Sequence, residues 1–116
     1  MTTVAAELAF VGLAVRDLAR AQTFYETLLG RPPDVLVHDQ EVMWRVAETA
    51  WLFVRVEPER AGGGIVMLAV ANLAAALDAL EHRGLTPPVV ETVAGNLKAT
   101  LLDPDGNEVS FAQLGT

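Results

Sequence analysis

Few side chains in this chain could do chemistry, and they are scattered. His38, Asp39 and Glu41 form one cluster of metal-ligand or acid–base types, in the run His38-Asp39-Gln40-Glu41. That spacing matches no common ligand pattern, and its place between two strand-like runs reads as a solvated hairpin turn. His82 stands between Glu81 and Arg83 just before a helix stop, where a cation complements the helix dipole. Ser110 lacks the Gly-x-Ser-x-Gly elbow that presents a nucleophile. Asp103 and Asp105 belong to Asp103-Pro104-Asp105-Gly106-Asn107, a turn whose Pro and Gly suit its corners; a calcium loop would need more acids at regular intervals. Gly62-Gly63-Gly64 lacks the Lys-Ser/Thr of a phosphate loop and precedes a strand, so it reads as a linker. With no cysteine, thiolate nucleophiles, thiolate zinc sites and disulfides are excluded.

The aromatic residues offer binding rather than reaction. Trp44 and Trp51 lie in adjacent strand-like runs, and Phe53 and Arg55 follow Trp51 at alternate positions. If Leu52, Val54 and Val56 pack beneath a helix, then Trp51, Phe53 and Arg55 share the opposite face. Flat rings there can stack on a planar ligand, and a guanidinium can pair with an anion or stack as well. Alternation leaves the face of Trp44 open. Strand aromatics also serve as core or as a dimer contact, and that reading stands beside the first.

These residues are positioned by a repeated unit. Phe10 to Val15 alternates as a strand, Asp17 is placed as a helix N-cap, and Leu18, Ala21, Tyr25 and Leu28 follow at helical spacing. Gly30 and Pro32-Pro33 stop that helix. Three strand-like runs follow, Asp34 to Asp39, Val42 to Ala47 and Trp51 to Glu57, before a linker from Pro58 to Gly64. About 55 residues further on the order recurs: strand Ile65 to Val70, cap Asn72, helix face Leu73, Ala76, Leu77 and Leu80, stop Gly84 and Pro87. Strands near Val89–Val93, Leu97–Leu102 and Glu108–Gln113 complete it. Val11, Leu13, Ala14 and Val15 reappear as Val66, Leu68, Ala69 and Val70, and Glu26 as Glu81. A period of half the chain means two similar halves, not a solenoid.

The 116 residues amount to one domain, with ample apolar content at 52%. No apolar run approaches a membrane span, and the N-terminus lacks a basic flank and a cleavable signal pattern, so the expected location is cytoplasmic. A net charge of −7, with eight Lys and Arg in no stripe, argues against a nucleic-acid partner and is compatible with a cationic small molecule.

Two motifs carry a resemblance over nearly the whole chain. Leu13 to Gly30 reads L-x-V-x-D-L-x-x-A-x-x-F-Y-x-x-L-L-G, and Asp103 to Asn107 reads D-P-D-G-N. Together they resemble the vicinal oxygen chelate superfamily of glyoxalase I, extradiol dioxygenases, and fosfomycin- and bleomycin-resistance proteins. The resemblance implies an α+β fold in a single domain, 1–116. Its two βαβββ modules, 1–61 and 65–116, form a cup-shaped mixed sheet with helices on the outside and the ligand within. It also implies a homodimer. Metal enzymes of the family place one ligand, usually His or Glu, in each of four strands. Those positions fall on Phe10, on Ile65, on Ser110, and on either Phe53 or Val54 according to the alignment. Apolar side chains donate no lone pair, and a neutral hydroxyl is a poor substitute for a carboxylate.

The expectation is therefore a protein without a metal ion or other cofactor. It would bind an aromatic or partly cationic small molecule in an apolar cup, for sequestration or sensing. Phe10, Trp44, Trp51, Phe53, Arg55, Ile65, Met67 and Ser110 are the candidate ligand-binding residues. The alternative is a lyase or isomerase with relocated metal ligands or metal-independent chemistry, for which His38, Glu57, Glu91 and Ser110 are the candidates. A third reading is an interaction module whose cup is filled by its own side chains.

Overall fold

The structure, a computed structural model, describes residues 2–86 and 88–115. The first half folds as β1 (Ala9–Val15), α1 (Leu18–Leu29), β2 (Val35–His38), β3 (Glu41–Ala47) and β4 (Ala50–Val56). A 3-10 turn at Pro58–Arg60 leads to β5 (Ile65–Ala69), α2 (Leu73–His82), β6 (Glu91–Val93), β7 (Asn96–Leu102) and β8 (Glu108–Gln113). Each half makes a four-stranded mixed sheet, ordered β1-β4-β3-β2 and β5-β8-β7-β6. In both, the first strand runs parallel to the last and the others are antiparallel. The repeat in the sequence is thus a repeat of topology.

Local chemistry sets the element ends. Asp17 accepts a hydrogen bond from the Arg20 amide at 3.0 Å, and Asn72 accepts one from Ala75 at 3.0 Å, so both expected caps are in place. Gly30 closes α1 in the left-handed region at φ 79°, with its N–H on the Glu26 carbonyl. After α2 the Arg83 N–H takes the Ala79 carbonyl, and Gly84 follows in the left-handed region at φ 90° with its N–H on the Glu81 carbonyl; Pro87, the other residue expected to stop that helix, lies outside the described residues. β6 is shorter than the expected Val89–Val93. Pro88 brings no N–H to a ladder, and pairing begins only at Glu91, opposite Lys98.

Alternation divides each sheet into two faces. Leu13, Val15, Val42, Trp44, Leu52 and Val54 face Ala21, Tyr25 and Leu28 of α1, while Ala99, Leu101, Val109 and Phe111 face Leu73, Leu77 and Leu80 of α2. These side chains form one buried cluster spanning both halves. Trp44 is fully buried in it, with its ring Nε1–H donating to the Arg31 carbonyl at 3.0 Å. A buried indole needs such an acceptor, and it finds this one on the helix-bearing face, so Trp44 is removed from the candidate ligand-binding set.

Polar contacts stitch the halves together beside this core. The Tyr25 hydroxyl donates to Asp103 at 2.8 Å, Asn107 Nδ2 donates to the Ala14 carbonyl at 2.9 Å, and Arg16 pairs with Asp105 at 3.1 Å. The Arg83 guanidinium donates to the Thr27 and Leu28 carbonyls, capping the C-terminus of α1 from the other half.

Candidate functional site

The faces turned away from the helices are largely open, with Ser110 and Ala112 of β8 the buried exceptions. On the first sheet the open face is built in three cross-strand rows: Phe10, Trp51 and Arg45; then Gly12, Phe53 and Met43; then Ala14, Arg55 and Glu41. The corresponding rows of the second sheet are Ile65, Glu108 and Leu102; Met67, Ser110 and Thr100; and Ala69, Ala112 and Lys98. Phe53 faces Gly12 in its ladder as Ser110 faces Met67, which makes Phe53 and Ser110 equivalent positions. Register thereby decides between Phe53 and Val54, since Val54 is fully buried on the helix side.

On the first sheet the rows grade from aromatic to charged. Phe10 and Trp51 stack, with ring centroids 6.3 Å apart and planes 16° from parallel. The Phe53 ring lies across β1 directly over Gly12, where any Cβ would overlap it, so the glycine is required by this close approach. The Arg55 guanidinium carbon stands 5.5 Å from the Phe53 centroid, a cation–π contact. Its Nε donates to Glu57 at 2.7 Å, and its Nη1 lies 3.7 Å from Glu41. Arg60 in the 3-10 turn reaches the other Glu57 oxygen at 3.9 Å.

A half-open cleft of about 530 Å³ lies over this charged row, between β1, β4 and the connecting segment. Phe53, Arg55, Glu57 and Arg60 line it, with Gly12 beneath and Gly63 and Gly64 as its far wall. Of the expected binding residues, then, Phe53 and Arg55 line the cleft, and Phe10 and Trp51 continue its face. Ile65, Met67 and Ser110 occupy the matching face of the second sheet and do not line this cleft. Ile65 and Met67 stand out to solvent, 77% and 54% exposed, whereas Ser110 is buried with its hydroxyl 2.8 Å from that of Thr100. Arg60 belongs to the segment that the sequence reads as a linker, and the structure places it in the wall of the cleft. The signal for it was a charge two residues past Pro58 in a segment short enough to be held against β1.

The candidates for catalysis do not converge. His38 sits in the β2–β3 turn with Nδ1 accepting from the Gln40 amide at 3.1 Å and Nε2 3.8 Å from Glu41. Glu57 is engaged by Arg55, while Glu91 and Ser110 lie on the second sheet. The four positions that hold a metal in glyoxalase-type enzymes carry Phe10, Phe53, Ile65 and Ser110 on these open faces, and such a donor set does not fit a divalent ion. Among the described residues no group of three His, Asp or Glu side chains is placed to hold one.

The family model for the Glyoxalase/Bleomycin resistance protein/Dioxygenase superfamily matches residues 7–111. Among solved structures, a glyoxalase/bleomycin resistance protein from Catenulispora acidiphila DSM 44928 is 36% identical, with a TM-score of 0.87 over 94% of this chain and 99% of that one. TnmS3, an antibiotic binding protein from Streptomyces sp. CB03234, shares the fold at 19% identity, with a TM-score of 0.76 over 97% and 98% of the two chains. An integron cassette protein from the mobile metagenome of V. cholerae is 22% identical, with a TM-score of 0.74 over 99% and 100%. No curated protein matches. Among the described residues no helix is long and apolar enough to cross a membrane.

Proposed function

This chain belongs to the Glyoxalase/Bleomycin resistance protein/Dioxygenase superfamily, and from that premise we propose that it is a cytoplasmic, homodimeric protein that binds an aromatic small molecule without a metal ion. Its role is sequestration or sensing, not turnover. One observation carries this reading: Phe10, Phe53, Ile65 and Ser110 stand where a metal enzyme of this fold would need lone-pair donors. The Phe10–Trp51 stack and the Phe53 ring form an aromatic floor next to a cleft of ligand size. The likeness to an antibiotic binding protein is in keeping with sequestration.

Calorimetric titration with zinc, manganese and nickel tests the metal-free reading. The expected result is no heat beyond weak, non-stoichiometric association. A tight site at one ion per chain would overturn it.

A further inference from the structure

We infer that the cleft over the first sheet receives an acidic group, so that the ligand is a planar aromatic acid with its rings at Phe53 and its carboxylate at Arg55 and Arg60. This deepens the binding reading above and rests on it.

The net charge of −7 favours cations at long range, but the short-range geometry of the cleft has the opposite sense. Two guanidinium groups, of Arg55 and Arg60, and one carboxylate, of Glu57, line the cleft, and the arginines are the more exposed. The side chains of Glu41 and Glu57 are 14% and 30% exposed, while those of Arg55 and Arg60 are 42% and 75% exposed. Glu41 does not line the cleft at all.

Both arginines also keep donors in hand. Arg55 gives Nε and Nη2 to Glu57, but its Nη1 is 3.7 Å from Glu41, too far for a hydrogen bond. Arg60 comes no nearer than 3.9 Å to Glu57. A guanidinium has five N–H groups in a planar fork that matches a carboxylate, and here two forks face one space. Arg55 is already held by its contact with Phe53, so little freedom is lost on binding. Same-face residues two apart on a strand stand about 7 Å apart, so a two-ring acid with its carboxylate at the Arg55 fork reaches back over Phe53, and Trp51, two residues further along the strand, continues the aromatic floor beyond it. The far wall leaves room, since nothing lies within 4 Å of where a Gly63 Cβ would be.

The test titrates the full chain calorimetrically with three probes of one shape: naphthoate, neutral naphthamide and naphthylmethylammonium. Naphthoate is expected to bind about tenfold or more tighter than the amide, with the ammonium weakest. Arg60→Gln, on an exposed side chain, should remove much of that margin, and Arg55→Gln should remove more, with naphthoate losing several-fold more affinity than the amide in each variant. Equal binding of the three probes, tightest binding of the ammonium, or a preference that survives both substitutions would overturn the acid assignment alone. Failure of all three probes to bind would overturn the aromatic-binding reading and this assignment with it.

Discussion

Tyr25 is the chain's single tyrosine, and its hydroxyl is spent on a carboxylate in the other half of the molecule. Asp103 also accepts from Asn107 Nδ2 at 2.9 Å and from the Asp105 and Asn107 amides at 2.9 and 3.0 Å, so the buried acid has four donors. Burial, and then the charge of Asp103, push the Tyr25 pKa well above its ordinary 10.0. The folded value lies above the unfolded one. The contribution of Tyr25 to stability is therefore complete below pH 10 and declines as rising pH ionises the phenol of the unfolded chain. With one tyrosine, near-ultraviolet phenolate absorbance reads this site alone. It should appear only together with loss of helical circular dichroism, and reversible ionisation near pH 10 in the folded protein would contradict the bond. Tyr25→Phe should lower stability by about 1.5–3 kcal/mol in denaturant melts, since a hydrogen bond to a charged group is lost. That variant still folds because Asp103 keeps three donors. The apolar spacing in the sequence marked Tyr25 as a core position. Its partner, 78 residues away, left no local sign.

At the scale of elements, the segment from Pro58 to Gly64 is a fitted strap where its glycines had suggested a loose linker. Gly64 donates its N–H to Asn107 Oδ1 at 2.7 Å, and a Cβ there would collide with Leu13 and Asn107. Asn107, in the β7–β8 turn, thereby holds the strap, the Ala14 carbonyl of β1 and Asp103 at once. Asn107→Ala should cost about 2–4 kcal/mol in denaturant unfolding, because it strands buried donors and acceptors. Gly64→Ala should also destabilise, by collision, while Gly63→Ala should lie within about 0.5 kcal/mol of the parent because its surroundings are empty. A near-neutral Asn107→Ala would show that the strap is not held this way. Glycine signals flexibility and close approach with the same letter; only the neighbour in space distinguishes them. The D-P-D-G-N turn, by contrast, was readable because its Pro and Gly act within five residues.

The whole molecule is more extended than its length requires, with a radius of gyration of 14.7 Å against roughly 13 Å for a compact chain of this size. The halves join through their helix-bearing faces, so the open faces of the two sheets do not meet within the chain. β1 and β5 each keep one unpaired edge, and Ile65 and Met67 remain exposed beside it. Natural proteins blunt or cover long apolar edges, and the proposed homodimer would cover these with a second copy related by a two-fold axis. Sedimentation at low micromolar concentration should therefore give a dimer, and Met67→Glu should shift it to monomer with helical content unchanged. A monomeric parent at that concentration would overturn the homodimer.

What the sequence determined by itself is whatever chemistry acts within one element: the doubled strand-helix-strand order, both N-caps, the Gly30 stop, and the faces of Trp51, Phe53 and Arg55. Capping, left-handed glycine and two-residue alternation are short-range effects, and each is written in adjacent letters. The resemblance added that four strand positions ought to hold donors, and their replacement could be read one residue at a time. Only the tertiary structure decided the face of Trp44, the choice of Phe53 over Val54, the place of Arg60 in the wall of the cleft and the Tyr25–Asp103 bond. These depend on register and on which distant surfaces meet, and no local pattern in the chain encodes a partner half its length away.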